Sequence, residues 1–269
     1  MNEPRDPNPI PRVVNLEPRM LRGRGIYLLP NLFTTSALFG GFYAIVASIH
    51  GHFEAAAIAI FAAMVLDGLD GRIARMTNTQ SAFGAEYDSL ADVVSFGVAP
   101  AILAYEWLLH EIGKLGFLVA FVYVSAAALR LARFNAQASS GDKKYFKGLP
   151  SPASAAVVAG FIWCGDTYGF QGHGLVVALT FLVTLACGAL MVSNIRYYSF
   201  KDLDLRSRVP FVRVLAVVLG FGFVSLNPPA MLLLGFLTYA AAGPVVTLNQ
   251  LQRRRRARRR AGAGERDVA

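Results

Sequence analysis

Eight apolar stretches, each long enough to cross a lipid bilayer as a helix, recur along this chain of 269 residues. A membrane-spanning helix needs about 20 mostly apolar residues, because the bilayer core offers no water to the backbone polar groups. Only 16% of the residues are charged, against about a quarter in a typical soluble domain. The sequence therefore predicts an all-α integral membrane protein. Its eight or so transmembrane helices are expected at residues 29–49, 53–75, 85–108, 113–136, 151–168, 174–193, 209–226 and 229–249.

The basic residues predict how these helices are oriented. An even number of spans places both termini on one side of the membrane. In that arrangement all of the 26 Lys and Arg residues except Lys114 fall on the side of the termini. Because cytoplasmic loops carry an excess of Lys and Arg, we expect a multi-pass protein of the cell membrane with both termini in the cytoplasm.

Composition divides the chain into one membrane domain and two polar tails. Residues 1–25 are polar and rich in proline, residues 26–251 contain all the apolar stretches, and residues 252–269 begin with a run of arginines. A polybasic run beside a membrane helix is typical of a segment that contacts anionic lipid. We therefore expect a bilayer containing anionic lipids as its partner, and no nucleic acid.

Four aspartates and an arginine interrupt the second and third apolar stretches. They form the pattern D-x-x-D-G-x-x-A-R, eight further residues, and then G-x-x-x-D-x-x-x-D. Ionisable side chains at membrane depth are costly unless they are paired or bind an ion, so they indicate a functional site. The residues of the pattern are Asp67, Asp70, Gly71, Ala74, Arg75, Gly84, Asp88 and Asp92.

The spacing of the aspartates predicts a cation site. Asp67 and Asp70 are three residues apart, and Asp88 and Asp92 are four apart, so each pair shares one face of a helix. Two facing helices would bring four like charges together, which is tolerable only if cations lie between them. Because all the ligands are oxygen atoms, Mg²⁺ or Mn²⁺ is favoured. Such ions beside Arg75 suit the binding of a diphosphate.

Two other interpretations of the aspartates remain open. A carboxylate cluster in a membrane also occurs in proton relays and ion-coupled transporters, and a structural group of ion pairs is a third possibility. Transporters commonly show internal repeats or paired broken helices, and this sequence shows a single off-centre motif. One arginine, moreover, does not neutralise four acids. The pattern favours nucleotide-diphosphate chemistry over both.

The complete pattern resembles the signature of the CDP-alcohol phosphatidyltransferase family. Members of that family use two adjacent membrane helices to displace CMP from a CDP-linked lipid with an alcohol. The resemblance implies that Asp67, Asp70 and Asp88 bind two divalent ions, Mg²⁺ or Mn²⁺. It also implies that Asp92 is both a metal ligand and the general base. A homodimer is the assembly that the family suggests.

The same resemblance implies a binding site for the CDP-diacylglycerol donor. The string PNLFTTS is similar to the family's P-N-x-x-T opening of the first helix, which places Asn31 and Thr34 near the nucleotide. Ser81 resembles the polar residue that members place near the diphosphate. The implied donor-binding residues are Asn31, Thr34, Asp70, Gly71, Ala74, Arg75, Ser81 and Gly84.

Three further strings resemble the phosphatidylserine synthase branch of the family. They are RLARFN at 130–135, FKGLPSPASA at 146–155 and MVSNIRYYSFK at 191–201. The branch implies L-serine as the acceptor, while glycerol 3-phosphate and inositol phosphate stay open as alternatives. Serine is a zwitterion, so its pocket should offer cations to the carboxylate and a neutral hydrogen-bonding group. The candidates are Arg130, Arg133, Asn135 and Lys147.

Overall fold

The computed structural model describes residues 19–77, 81–137, 145–171, 174–198 and 211–264. The predicted tail residues 1–18 and 265–269 lie outside the described residues. The helices are α1 (Arg19–Ile49), α2 (Phe53–Thr77), α3 (Ala82–Asp92), α4 (Ala99–Trp107), α5 (Lys114–Gln137), α6 (Ser151–Thr167), α7 (Gly174–Val192), α8 (Phe211–Leu226) and α9 (Pro228–Gly264). A π-helical turn, Val93–Val98, joins α3 to α4, and a 3₁₀ turn, Leu109–Ile112, precedes α5.

The prediction of an all-α membrane protein is confirmed. Each predicted span overlaps a helix, with α3, the π-helical turn and α4 together forming the third. Within the described residues, five segments are both long and apolar enough to cross a membrane: Pro30–Ile49, Ala82–Trp107, Lys114–Ala136, Gly174–Val192 and Pro228–Thr247. Of the others, α2 carries the charged motif, and α6 and α8 have only 17 and 16 residues. The number eight therefore stays a prediction.

The first two helices pack closely through small side chains. A Cβ atom at Gly40 of α1 would lie 3.2 Å from the Cβ of Ala63 and 3.3 Å from the carbonyl oxygen of Ala59 on α2. Glycine therefore permits this close approach. The contact joins the C-terminal half of α1 to the N-terminal half of α2, so that the middle of α1 lies beside the aspartate-bearing end of α2.

The π-helical turn begins directly after Asp92. Its Ser95 is buried and donates a 3.0 Å hydrogen bond to the carbonyl oxygen of Ala37, so the turn is fixed against α1. A π-turn inserts an extra residue into the helical repeat and often occurs at functional sites. It therefore changes the direction in which side chains beyond Asp92 point, relative to those of α3.

A small antiparallel sheet was not predicted from the sequence. Its first strand follows α5 in the chain, and its second strand follows α7. Strand β1 (Tyr145–Lys147) pairs with β2 (Arg196–Tyr198), with Phe146 opposite Tyr197. Gly148, which follows β1, has a φ of +83°, and a Cβ there would collide with the carbonyl oxygen of Met191. The sheet thus joins the segment before α6 to the segment after α7.

The terminal helices are longer than the predicted spans. Helix α1 begins at Arg19, inside the predicted N-terminal tail, and α9 continues to Gly264 through the arginine run. An arginine-rich sequence has adequate helix propensity, which allows the backbone to remain helical there. The predicted division of the chain into one membrane domain and two polar tails therefore stays a prediction.

Candidate functional site

Three of the four motif aspartates converge. Asp67 and Asp70 near the end of α2 and Asp88 on α3 each have a carboxylate oxygen within 4.8 Å of those of the other two. Asp70 is buried, while Asp67 and Asp88 are half-buried. The helical spacing brings each residue to the facing side of its helix, as the sequence predicts.

Asp92 lies at the edge of this acidic cluster. Its carboxyl group lies close enough to interact with those of Asp67 and Asp88 and with the guanidinium of Arg130 on α5. The three-aspartate group itself does not include Asp92. Asp92 therefore interacts both with the acidic cluster and with Arg130 of α5.

The donor set of the cluster fits a hard divalent cation. Carboxylates at this separation repel one another unless positive charge lies between them. All the available ligand atoms are oxygens, a set typical of Mg²⁺ or Mn²⁺ sites. The grouping of Asp67, Asp70 and Asp88 is thus consistent with the predicted metal centre, and the number of ions stays a prediction.

Helix α1 contributes a hydroxyl to the cluster. Thr34 is buried, and its Oγ1 lies 2.7 Å from Oδ2 of Asp70, to which it donates, and 3.2 Å from the carbonyl oxygen of Pro30. A hydrogen bond to a ligating carboxylate fixes the orientation of that ligand. Thr34 therefore positions the carboxylate of Asp70. Its contact with the nucleotide stays a prediction.

The other donor-site candidates form two small groups around the cluster. Ser81 is the N-cap of α3, its Oγ accepting a 3.0 Å hydrogen bond from the backbone N–H of Gly84. A Cβ at Gly84 would lie 3.5 Å from Oδ1 of Asn31, which shows that α1 faces this cap. On α2, Gly71 lies beside the exposed Arg75.

Ala74 is half-buried on the same helix, one turn beyond Asp70. Its small side chain leaves room beside the acidic cluster, as does the absence of a side chain at Gly71. These positions and the cap of α3 thus offer exposed backbone, small residues and the exposed Arg75 close to the motif aspartates. Such a surface suits a large anionic group.

Arg130 is the best-buried of the predicted serine-site residues, with 8% of its surface exposed. Its Nη1 donates a 2.9 Å hydrogen bond to Oγ of Ser151, the first residue of α6. The buried Nε–H of Arg130 has no hydrogen-bond partner within the described part of the chain. A guanidinium with an unsatisfied donor next to Asp92 is equipped to bind an anionic group.

The remaining predicted serine-site residues occupy more open positions. Arg133 is half-buried and donates a 2.6 Å hydrogen bond from Nη2 to Oδ1 of Asn194. Asn135 is exposed and donates from Nδ2 to Oγ of Ser89 at 2.9 Å, next to Asp88. Lys147 is exposed on β1, and no hydrogen bond in the described residues joins it to the other candidates.

Three residues near the site, Ser151, Asn194 and Tyr239, were not predicted from the sequence to have a role there. Ser151 and Asn194 each lie in one of the strings that resemble the phosphatidylserine synthase branch. Their polar side chains beside a helix end could have marked them as candidates. Tyr239 of α9 packs its ring against that of Tyr197, with 5.7 Å between the ring centroids. It lies in an apolar stretch far along the chain, where no local pattern distinguishes it from an interfacial tyrosine.

Comparison with known proteins agrees with this geometry. The CDP-alcohol phosphatidyltransferase family matches residues 27–192. A Helicobacter pylori protein named CDP-diacylglycerol–serine O-phosphatidyltransferase is 44% identical over 191 residues, covering 71% of this chain and 79% of its own length. A Methanocaldococcus jannaschii protein of the same name is 35% identical over 184 residues, covering 68% of this chain and 80% of itself.

A Methanothermobacter thermautotrophicus protein named archaetidylserine synthase is 36% identical over 171 residues, covering 63% of this chain and 69% of its own length. The family match includes every residue of the aspartate pattern and Asn31, Thr34, Arg130 and Arg133. The resemblance found in the sequence is therefore confirmed. This chain belongs to the CDP-alcohol phosphatidyltransferase family.

Proposed function

We propose that the protein transfers the phosphatidyl group of CDP-diacylglycerol to the hydroxyl of L-serine, producing phosphatidylserine and CMP. The family match supports the reaction class, and the relatives named for serine transfer support the acceptor. The observation that carries the proposal is the acidic cluster. Three aspartates share one small volume, and Asp92 lies at its edge towards Arg130.

Asp92 is the proposed general base. The serine hydroxyl gives its proton to the Asp92 carboxylate while its oxygen forms a bond to the lipid-linked phosphorus. The bond from that phosphorus to the CMP oxygen breaks, and CMP leaves as the phosphate monoester. Asp92 suits both roles because it stands outside the group of three aspartates, so it can ligate an ion at the edge of the cluster and still accept a proton from the acceptor hydroxyl.

Asp67, Asp70 and Asp88 are the proposed ligands for the divalent ions, with Asp92 as a further ligand at the edge. Bound there, Mg²⁺ or Mn²⁺ would supply positive charge to the diphosphate and to the departing CMP. Thr34 keeps the carboxylate of Asp70 oriented towards the other two through its hydrogen bond. The chain's own contribution is thus a rigid arrangement of oxygen ligands on two helices.

The CDP moiety is proposed to bind around the cap of α3 and the small residues of α2. Asn31, Ser81 and Gly84 lie together at the start of α3, and Gly71, Ala74 and Arg75 follow Asp70 along α2. The exposed guanidinium of Arg75 can bind a phosphate oxygen pair through two hydrogen bonds. The backbone at the glycines permits close approach of the ligand.

The serine carboxylate is proposed to bind between Arg130 and Arg133. These residues are three apart on α5, so they share a helix face. The unpartnered Nε–H of Arg130 supports a bound anion at this position, because a buried donor without a partner costs about 1–3 kcal/mol. Asn135 and Lys147 complete the proposed pocket at its open side.

A membrane fold suits this reaction because the acyl chains of the donor can stay in the bilayer while its head group enters the polar site. We propose that the site faces the cytoplasm, as the distribution of Lys and Arg predicts. The homodimer and the association of the arginine-rich segment with anionic lipid also stay predictions. Transport of an ion by the aspartates is disfavoured by the family match.

An acceptor panel tests the proposal. The purified protein in detergent is given CDP-diacylglycerol, Mn²⁺ and one of three acceptors: L-serine, glycerol 3-phosphate or inositol phosphate. We expect CMP release and a new lipid with serine at the highest rate. A higher rate with either other acceptor would replace serine while leaving the transferase assignment in place. No CMP release with any of them would contradict the assignment itself.

A further inference from the structure

Asn194 lies in a turn whose shape is fixed by the side chain before it. The hydroxyl of Ser193 donates a 2.8 Å hydrogen bond to the carbonyl oxygen of Leu190, near the end of α7. It also accepts a 3.3 Å hydrogen bond from the backbone N–H of Ile195. Side-chain bonds of this kind to nearby backbone groups hold a short connection in one conformation. The backbone of Asn194 is therefore held in place between α7 and β2.

The same turn is joined to the segment that precedes α6. The backbone N–H of Gly148 donates to the carbonyl oxygen of Ile195 at 2.8 Å, and that of Leu149 donates to the carbonyl oxygen of Leu190 at 3.0 Å. Gly148 has a φ of +83°, and a Cβ there would collide with the carbonyl oxygen of Met191, so only glycine permits this approach. The two segments therefore form one unit. We call it the sheet unit, residues 145–151 and 190–198.

The sheet unit binds both arginines of the proposed acceptor pocket. Arg130 donates from Nη1 to Oγ of Ser151 at 2.9 Å, and Arg133 donates from Nη2 to Oδ1 of Asn194 at 2.6 Å. A guanidinium on a long side chain with several rotatable bonds keeps one orientation only where such partners hold it. One rigid unit thus sets the direction of both cations of α5.

Asn194 holds Arg133 without cancelling its charge. Because a guanidinium has only donors, the amide turns its oxygen towards Arg133 and its NH₂ group away. The Asn194 side chain is exposed, and its NH₂ group makes no hydrogen bond to another described residue. An aspartate at this position would instead form a salt bridge with the arginine. The neutral amide leaves the full positive charge of Arg133 for an anionic ligand.

We propose that Asn194 is a positioning residue that determines acceptor specificity: it orients the Arg133 guanidinium without neutralising it, so that the pocket selects an alcohol that carries an anionic group. The inference rests on the proposed function, in which Arg133 binds the serine carboxylate. It adds a residue just beyond residues 27–192, the part of the chain that the family match covers.

The expected effect of Asn194→Asp is a change of acceptor preference. The new carboxylate has nearly the shape of the amide, but it pairs with Arg133 and repels the carboxylate of serine. The KM for serine should therefore rise at least about tenfold. Ethanolamine, which is serine without the carboxylate, does not meet this repulsion. The ratio of kcat/KM for ethanolamine to that for serine should consequently rise at least about tenfold.

The ratio is measured from the lipid product formed with each acceptor in wild type, Asn194→Asp and a matched control. Asn227→Asp is the control, since it adds the same charge before α9, where Asn227 accepts a 3.4 Å hydrogen bond from the backbone N–H of Ala230 that an aspartate can also accept. It lies about 20 Å along α9 from Ala240, the residue bonded to Tyr197 of the sheet unit.

We expect the wild-type ratio in Asn227→Asp and the raised ratio in Asn194→Asp alone. A smaller folded fraction lowers the rates with both acceptors equally, so a merely structural effect leaves the ratio unchanged. An unchanged ratio in Asn194→Asp, or the same rise in the control, would overturn the proposal.

A second variant, Asn194→Ala, tests whether the residue acts through Arg133. Loss of one hydrogen bond to the guanidinium should raise the KM for serine about threefold to tenfold. Added to Arg133→Ala, the same change should raise this KM no further than Arg133→Ala alone. Independent, multiplying effects would overturn the proposal.

Failure of the wild-type protein to use serine would contradict the proposed function instead. The ratio would then compare the anionic acceptor that the protein does use with the same alcohol lacking its anionic group, such as glycerol 3-phosphate with glycerol. A rise towards the uncharged alcohol in Asn194→Asp would support the role of Asn194, and an unchanged ratio would overturn it.

Discussion

Thr34 on α1 donates a 2.7 Å hydrogen bond to Oδ2 of Asp70 on α2, which joins the first helix to the acidic cluster. The two residues are 36 positions apart in the sequence. The bond orients one carboxylate of the cluster from a helix that carries none of the motif aspartates. The threonine of the P-N-x-x-T string therefore has a structural role that does not depend on a bound nucleotide.

Replacing Thr34 with Val should therefore weaken metal-dependent activity. Valine has nearly the same shape, but it leaves Oδ2 of Asp70 without this donor. Loss of a hydrogen bond that orients a metal ligand typically lowers metal affinity about 10- to 100-fold. We expect the Mn²⁺ concentration for half-maximal CMP release to rise by that factor. Ser36→Ala is the control, because the Ser36 hydroxyl bonds only to Leu32 in its own helix.

Replacing Arg133 with Lys should weaken serine binding selectively. Lysine keeps the charge but loses the planar guanidinium that can hold a carboxylate through two hydrogen bonds. We expect the KM for serine to rise roughly tenfold, and more than the KM for CDP-diacylglycerol. Equal effects on both substrates would assign Arg133 to the diphosphate. The exposed Arg72 of α2, changed to Lys, provides the control.

The orientation of the protein can be tested by labelling single cysteines in intact cells, with Cys164 and Cys187 replaced by alanine. His52 lies exposed between α1 and α2, and Met76 lies exposed near the end of α2. Because the basic residues predict cytoplasmic termini, His52→Cys should react with an impermeant reagent and Met76→Cys should not. The reverse result would place the acidic cluster on the outer side.

Truncation after Gln252 should preserve activity in detergent and reduce binding to anionic vesicles. The removed residues contain none of the motif aspartates, and α9 retains Ala240, which accepts a hydrogen bond from Tyr197. Each basic residue near an anionic surface contributes about 1 kcal/mol to membrane association, so vesicle binding should fall strongly. Loss of activity in detergent would show that the arginine run belongs to the catalytic unit.

The sequence predicted the helices and the grouping of three motif aspartates well, because both depend on local periodicity. The apolar lengths located every long helix, and the intervals between Asp67, Asp70 and Asp88 placed their carboxylates on facing surfaces. The function class followed from the same residues. These are properties of single helices or of a pair joined by a short connection.

Contacts between distant segments could not be predicted in this way. The bond of Arg130 to Ser151, that of Arg133 to Asn194, and the ring contact of Tyr239 with Tyr197 depend on how distant segments pack. Helical spacing gives the face of a residue but not its partner on another helix. The π-helical turn after Asp92 was equally hidden, since its sequence VVSFGV continues the apolar run of the third predicted span.

The proposed mechanism is tested most directly at Asp92, the proposed general base. Asp92→Asn keeps the shape of the side chain but cannot accept the serine proton. At saturating Mn²⁺ we expect phosphatidylserine formation to fall by about 10²-fold or more, while binding of CDP-diacylglycerol stays measurable. Asp67→Asn, the comparison, should instead weaken metal and donor binding together. An Asp92→Asn variant that keeps more than about a tenth of the wild-type rate would contradict the assignment of the base.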